Sequence, residues 1–294
     1  MEEPAAQFPP NHLLATGVFR AELTLIKLQN IVKNFNRAPL LKGISLTVQE
    51  GERVSLIGPG GCGKSTVLKI LLGLVPPDEG EALLFSTDMC HSDEDKRQSV
   101  LKRVGMAFQQ GGLFDFMTVR ENLLFAMEHM TDKDGEEMEY DLKRLLAGVK
   151  LPKTEGMFPH ELSGGMKRRV GIARALCTDP DIAIFDEPTA GLDPVTSTII
   201  LNMIDALGGK GGKKTMLVAS SNVEIAIRFA DRIVVINEGL VVADGPWRQL
   251  LVSGPPWVQH FLSTRLIGLD IEYAHELHLP PSFIRKNWSA HSVR

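Results

Sequence analysis

The sequence has few cysteines, no long apolar run and no excess of positive charge, and each absence excludes a class of protein. Three cysteines without paired spacing among 294 residues do not make a disulfide framework and favour a reducing compartment. No apolar stretch approaches the roughly 18–20 residues that a membrane helix requires. A formal charge of −4, from 32 basic and 36 acidic residues, disfavours a protein that binds nucleic acid through bulk charge.

The remaining composition is that of a folded protein with one large domain or two ordinary ones. Hydrophobic residues make up 44% and charged residues 23%, which is enough apolar material for a core. Residues 1–13 carry acids and prolines instead of the basic start and apolar block of a secretory signal. We therefore expect a cytoplasmic protein without a nucleic-acid partner, whose membrane role, if any, comes through another chain.

Apolar patterns along the chain predict a parallel α/β unit that is interrupted by a helical insertion. Alternation and short apolar runs predict strands over 23–31, 43–48, 53–57, 104–108, 182–185, 215–219 and 232–236. Helical spacing predicts helices over 66–75, 118–127, 138–149, 163–177 and 223–230.

These patterns divide the chain into a flexible leader (1–20), a core (21–110 with 178–245), a helical segment (111–177) and a C-terminal extension (246–294). In the extension, Trp257 and Phe261 have roughly helical spacing. Two alternatives are open there: a helix packed on its own domain, or an arm that reaches a second subunit.

The segment from Gly58 to Ser65 matches the phosphate-binding pattern G-x-x-x-x-G-K-[ST] in full, between a predicted strand and a predicted helix. Glycines let consecutive backbone N–H groups turn toward a phosphate chain, and the helix adds its positive end. Lys64 can reach the β- and γ-phosphates, and the Ser65 hydroxyl can bind Mg²⁺. We therefore predict ATP binding by Gly58, Pro59, Gly60, Gly61, Cys62, Gly63, Lys64, Ser65 and Thr66.

Two adjacent carboxylates, Asp186 and Glu187, follow a strand that is apolar throughout. Beside a phosphate loop, Asp186 is expected to hold Mg²⁺, usually through water. Glu187 is expected to take a proton from the attacking water as a general base. The alternative, an ordinary strand end with two solvated acids, is disfavoured because the phosphate loop is present.

A third motif, Leu162 to Met166, begins a basic amphipathic helix just before these carboxylates. Ser163 can cap a helix whose N-terminus points at phosphate, and Gly164 and Gly165 allow close approach. With the phosphate loop, this segment resembles the signature motif of ABC-type ATPases. The resemblance spans about residues 23–245. It implies a P-loop NTPase fold, with an α/β core, a mixed sheet, an antiparallel β edge and a helical signature subdomain.

The resemblance also implies roles that spacing alone does not supply. Phe35 stands where the family stacks an aromatic ring on adenine, and Gln109 where it joins Mg²⁺ and senses the γ-phosphate. Asp193 lies in a loop that resembles the one contacting the opposite subunit. In this family Ser163, Gly164 and Gly165 serve the nucleotide of the other subunit, so two complete sites require two chains, head to tail.

The segment from Phe108 to Asn122 resembles ATPases of the Mla/Mce lipid-transport systems, and so does the run from Ser163 to Arg169. The resemblance implies a peripheral subunit on the cytoplasmic face of an inner membrane. Its expected partners are a membrane permease and an Mce-domain lipid-binding protein. The implied activity is ATP hydrolysis that drives transport of phospholipid or another hydrophobic substrate.

The sequence departs from the family at Ser221, where a histidine normally contacts the γ-phosphate. The nearest histidines are His160 and His260. A serine donates only one neutral hydrogen bond. The S-x-x-E spacing from Ser221 to Glu224 predicts that Ser221 caps the next helix and keeps at best a weakened phosphate contact.

Two rival functions follow from the family. The first is a soluble ABC ATPase of DNA repair or translation. It is disfavoured because only 105 positions, without heptads, separate Gly58 from Ser163, and because the chain has one cassette. The second is a nucleotide-gated protein that binds ATP and hydrolyses it slowly. This alternative stays open because Ser221 stands in place of the usual histidine.

Overall fold

A computed structural model describes residues 23–36, 38–207, 214–230 and 232–266, which leaves the predicted leader and the end of the extension outside the described residues. The strands are β1 (Thr24–Phe35), β2 (Ala38–Gln49), β3 (Arg53–Ile57), β4 (Glu79–Leu84), β5 (Thr87–Asp88), β6 (Val104–Ala107), β7 (Ile182–Asp186), β8 (Thr215–Ser220), β9 (Arg232–Asn237) and β10 (Leu240–Pro246). The helices are α1 (Lys64–Leu71), α2 (Glu94–Leu101), α3 (Val119–Met130), α4 (Gly135–Gly148), α5 (Gly164–Leu176), α6 (Pro194–Leu207), α7 (Val223–Phe229), α8 (Trp247–Ser253) and α9 (Pro256–Leu266).

The central sheet has six strands in the order β10-β9-β3-β8-β7-β6. The five strands from β9 to β6 run parallel, and β10 pairs antiparallel with β9. Strands β7 and β8 are buried along their whole length because helices cover both faces, as their continuous apolar sequences require. The carboxyl ends of β3, β8, β7 and β6 therefore lie side by side at one edge, where ligands of such sheets bind.

A second sheet, β2-β1-β4-β5, is antiparallel and packs its apolar face against α1 and the central sheet. Its buried residues include Ile26, Leu28 and Ile44, which are fully inaccessible to solvent. Phe35 lies at the turn end of the long β1–β2 pairing, where it pairs with Ala38.

Helices α3, α4 and α5 form a cluster of their own between β6 and β7. Leu123 and Met127 of α3 pack against Leu142 and Leu146 of α4, and Val170 of α5 closes the group. Helices α3 and α4 begin with capping boxes at Thr118 and Asp134. In each, the N-cap side chain accepts a hydrogen bond from the backbone N–H of the glutamate three residues later, and that carboxylate accepts one from the backbone N–H of the N-cap residue.

The described part of the extension packs on its own domain. Val258, Phe261 and Leu262 of α9 are buried against α7 and α8, whereas Trp257 stays 40% exposed. Among the helices in the described ranges, none is long and apolar enough to cross a membrane.

Candidate active site

One cavity of about 430 Å³ lies at the carboxyl edge of the central sheet. Four successive strand ends contribute to it: the loop after β3, Gln109 after β6, Glu187 after β7 and Ser221 after β8. Residues far apart in sequence meet there because parallel neighbours end at the same edge. The predicted residues that line it are Gly60, Gly61, Gly63, Lys64, Ser65, Thr66, Gln109, Glu187 and Ser221.

Among the glycines from Gly58 to Gly63 that line the cavity, Gly61 and Gly63 are needed for different reasons. Gly61 has φ +78° and faces open space, so backbone amides there remain free of side-chain cover. Gly63 has φ +106°, begins α1, and leaves no room for a Cβ, which would lie 2.5 Å from Leu41 Cδ2. The result is an open backbone surface beside the N-terminus of α1, which suits a phosphate group.

Lys64 is 5% exposed and folds back over this loop. Its ammonium donates to the carbonyl oxygens of Gly58 and Pro59 at 3.0 and 3.2 Å, and lies 3.5 Å from Glu187 Oε1. A buried cation with only carbonyl partners and one carboxylate is available to bind an anion in the cavity.

The Ser65 hydroxyl donates to Asp186 Oδ1 at 2.8 Å. Burial raises the pKa of the Asp186 carboxyl, and the hydrogen bond from Ser65 opposes that effect. A hydroxyl beside a carboxylate is a hard oxygen set of the kind that Mg²⁺ binds, so these two residues fit that ion. The neighbouring Cys62 is buried, which raises the pKa of its thiol and gives it a packing role in the loop.

Glu187 adopts φ +46°, a left-handed conformation that is uncommon for residues other than glycine. Its backbone N–H donates to the Ala219 carbonyl at 2.8 Å, which ties the residue to the end of β8. The side chain is 12% exposed and lines the cavity. This carboxylate therefore has access to a water molecule in the cavity while its backbone is held in place.

The structure corrects the assignment of Ser221 as a helix cap. Asn222 begins α7, and its Oδ1 accepts from the Glu224 backbone N–H at 3.0 Å. β8 extends to Ser220, whose hydroxyl accepts from the Asn222 backbone N–H, so the cap falls one residue later than the S-x-x-E pattern predicts. The Ser221 side chain lines the cavity instead.

Several predicted site residues lie outside this cavity. Ser163 caps α5, accepting from the Met166 N–H at 3.3 Å, and both it and Gly164 are exposed at the protein surface. Asp193 is also exposed, and its carboxylate accepts from the backbone N–H and the hydroxyl of Thr196.

Two further predicted residues also lie outside the cavity. Gly165 is partly buried beside α6. Phe35 is 48% exposed at the end of β1. Within one chain, therefore, these residues do not meet the phosphate loop.

Two cavity residues, Leu40 and Ala190, escaped prediction because neither belongs to a motif. A third omission is Asn122, which is fully buried. Its amide accepts from the Phe114 N–H and donates to the carbonyls of Phe114 and Met117, so it holds together the loop before α3. The available signal was its place on the apolar face of α3, together with Val119, Leu123 and Met127.

Comparison with known proteins gives consistent matches. A family model described as ABC transporter matches residues 41–190. "Protein TRIGALACTOSYLDIACYLGLYCEROL 3, chloroplastic" of Arabidopsis thaliana is 37% identical, over 83% of this chain and 75% of that protein. The intermembrane phospholipid transport system ATP-binding protein MlaF of Haemophilus influenzae is 34% identical, over 81% and 90%. The arginine transport ATP-binding protein ArtM of Bacillus subtilis is 35% identical, over 78% and 94%.

Among solved structures, the chain is similar to a dimeric post-hydrolysis state of the ATP-binding cassette MJ0796 bound to ADP and Pi. The TM-score is 0.69 at 32% identity, covering 76% of this chain and 98% of that one. The predicted α/β fold with a mixed sheet and a helical subdomain is thereby confirmed.

Proposed function

This chain belongs to the ABC transporter family, as an ATP-binding subunit with ATPase activity, and from that premise we propose that it powers transport of phospholipid or another hydrophobic substrate. The observation that carries the enzymatic part is the single cavity shared by Lys64, Gln109 and Glu187. The substrate class is supported by the similarity to MlaF, whose name specifies phospholipid transport. ArtM is about as similar and is named for arginine, so the substrate requires its own experiment.

In the proposed reaction, Lys64 binds the phosphate chain against the open backbone of the loop. Glu187 accepts a proton at its carboxylate from the water that attacks the γ-phosphorus, while the bond from that phosphorus to the β-γ bridging oxygen breaks. Gln109 and Ser221 face the same space and orient the γ-phosphate by neutral hydrogen bonds.

Ser65, Asp186 and Gln109 would hold Mg²⁺, whose charge neutralises phosphate oxygens when it is bound. The Ser65–Asp186 hydrogen bond supports this assignment because it already brings hydroxyl and carboxylate oxygens to 2.8 Å.

Phe35 would stack on the adenine, and a second copy of the chain would complete each site. The exposed Ser163 and Gly164 at the N-terminus of α5 would face the nucleotide of the partner, and the exposed Asp193 loop would contact it. The dimeric state of the similar MJ0796 cassette supports this arrangement.

A membrane permease would dock beside the helical subdomain. An apolar groove of about 300 Å³ lies between the core and α3, and Leu74, Phe125 and Met130 are among its exposed lining residues. Phe114 lines the same groove and lies 5.8 Å from the ring of Phe116, which is 76% exposed. An apolar surface of this kind, adjacent to the Gln109 loop, suits a short permease helix.

We expect Phe116→Asp to release the permease while the isolated chain still binds ATP. A charge in an apolar contact costs roughly 2 kcal/mol or more, about 30-fold in permease affinity. Tyr140→Asp is the matched control, since Tyr140 is 70% exposed on α4 and lines neither the groove nor the ATP cavity. If the permease co-purifies with the Phe116 variant in the same amount as with the parent, the proposed docking site is wrong.

The proposed partners are that permease and an Mce-domain lipid-binding protein, with this chain at the cytoplasmic face of the inner membrane. Affinity purification from native membranes, followed by lipid mass spectrometry of the complex, tests both parts of the proposal. Enrichment of phospholipid with an Mce-domain protein is the expected result. Co-purification of a periplasmic amino-acid receptor without bound lipid would favour an ArtM-like function instead.

Ser221 favours a second candidate, a slow nucleotide-gated subunit. If its hydroxyl replaces a histidine contact only weakly, Ser221→His should raise single-turnover hydrolysis by roughly 10²–10³, the usual value of one transition-state donor. ATP affinity should change little, because the gain lies in the transition state.

The cap of α7 should survive that substitution, since Asn222 forms it. Asn222→Ala is therefore the stability control, expected to lower the free energy of unfolding by about 0.5–2 kcal/mol without changing turnover. Equal single-turnover rates for the parent and Ser221→His would mean that Ser221 or a water already fills the role.

A further inference from the structure

Arg168, on the second turn of α5, holds two loops of the ATP cavity at once. Its Nε donates to the Gln109 carbonyl at 2.9 Å, and its Nη1 donates to the Ala190 carbonyl at 2.6 Å. Gln109 and Ala190 both line the cavity, whereas Arg168 does not. The arginine thus binds two loops that form walls of the cavity without lining the cavity itself.

The loop after β6 rests directly on α5. A Cβ on Gly171 would lie 2.6 Å from the Gly111 carbonyl oxygen, so the two backbones touch. One turn further, Arg174 Nη2 donates to the Gly112 carbonyl at 2.6 Å. Residues 168, 171 and 174 lie three apart on one helical face, and together they determine where the Gln109 loop lies.

The second loop is the turn that begins at Glu187. The Ala190 N–H donates to the Glu187 carbonyl at 3.2 Å, and the Glu187 N–H is held by Ala219. A non-glycine residue at φ +46° persists only where its neighbours restrain it. Arg168 supplies a restraint at the far end of this turn, through the Ala190 carbonyl.

We infer that Arg168 is a positioning residue for ATP hydrolysis, which sets the spacing between the loop of Gln109 and the turn of Glu187. The inference rests on the proposed roles of those two residues. Because Arg168 belongs to the helix that Ser163 caps, a shift of α5 would move both loops together. One side chain thus connects two neighbouring walls of the cavity.

The adjacent Arg169 provides a matched control on the same helix. Its Nε and Nη1 also donate to carbonyl oxygens, those of Gly165 and Val149, at 3.4 and 3.2 Å. Neither acceptor belongs to the loops of Gln109 and Glu187, although Gly165 lies in the signature segment that is proposed to serve the nucleotide of the partner. Arg169→Met therefore removes the same kind of bonds as Arg168→Met without releasing either cavity loop, and its effect on kcat should be additive with that of Gln109→Ala.

The experiment compares steady-state ATP hydrolysis and thermal unfolding of the transporter complex carrying each variant. We expect Arg168→Met to lower kcat by roughly 10–10²-fold, the effect of a misplacement of about 1 Å. KM for ATP should stay within about twofold, because ground-state binding by Lys64 is untouched. Arg168→Lys should recover only part of kcat, because one ammonium does not span both carbonyls as a guanidinium does.

A double-mutant cycle with Gln109→Ala separates positioning from general stability. If Arg168 acts through Gln109, its loss should cost several-fold less in kcat once Gln109 is gone. Strictly additive effects of Arg168→Met and Gln109→Ala, as expected for Arg169→Met, would overturn the inference. If the methionine variant fails to fold, the same cycle with Arg168→Lys decides.

Failure of this inference is distinguishable from failure of the proposed function. Unchanged ATP binding in Lys64→Ala and unchanged turnover in Glu187→Gln would show that this cavity is not the ATPase site. If those two variants behave as expected while the effects of Arg168→Met and Gln109→Ala are additive, only the positioning role is lost.

Discussion

Lys64→Ala is expected to abolish measurable ATP binding. The side chain is 5% exposed, donates to two loop carbonyls and lies 3.5 Å from Glu187 Oε1, so its ammonium can exchange the two carbonyls for phosphate oxygens. Hydrogen bonds to charged groups contribute about 1.5–3 kcal/mol each, so the loss of two corresponds to roughly 10²–10⁴-fold in affinity. Equilibrium binding of a fluorescent ATP analogue, with Mg²⁺ present, measures the effect.

Lys69→Ala is the control for that experiment. Lys69 lies on α1 too, but it is exposed and does not line the cavity. It should bind ATP like the parent, and both variants should unfold at similar temperatures. If Lys64→Ala binds ATP with parent affinity, the nucleotide site has been assigned to the wrong cavity.

Glu187→Gln should keep ATP binding and lower turnover by roughly 10²–10⁴, the usual contribution of a positioned general base. Glutamine has the same shape as glutamate, so the left-handed backbone and the Ala219 hydrogen bond are expected to remain. Its neutral amide cannot accept a proton from water at neutral pH. Steady-state phosphate release and single-turnover hydrolysis both report the loss.

The same variant should accumulate an ATP-held dimer. ATP that is not hydrolysed stays bound between the phosphate loop of one chain and the exposed Ser163 surface of the other. Size-exclusion chromatography with ATP measures this shift. Glu238→Gln is the matched control, since Glu238 also has a left-handed backbone (φ +49°) but is exposed outside the cavity. If Glu187→Gln hydrolyses ATP at the parent rate, another group must act as the general base.

Local motifs predicted much of the fold because their residues are consecutive. The strand over 53–57 was predicted with its observed bounds, and it runs into the glycine loop and α1 as expected. α1 itself begins at Lys64 and ends at Leu71, because Gly63 starts it and Gly73 leaves the helix with φ +70°. By contrast, α2, α6 and β4 went unpredicted, since their apolar periodicity is weak or interrupted.

The cap of α7 shows where a local pattern is ambiguous. Serine and asparagine are both good N-cap residues, and Ser221 and Asn222 are adjacent. The choice depends on where β8 ends, and β8 extends to Ser220 because that residue pairs with Ile57 of β3. A contact 163 positions away in the chain therefore decides which residue caps the helix.

The sequence by itself predicted the chemistry that is proposed for this protein, through a phosphate loop and two adjacent carboxylates, because each of these motifs consists of residues at fixed local spacing. Only the tertiary structure decided that Ser221 faces the cavity and that Arg168 joins two of its walls. The acceptors of Arg168 are backbone carbonyls, 59 and 22 positions away. Every residue has a carbonyl, so such a contact leaves no pattern in the sequence and exists only once the strands are assembled.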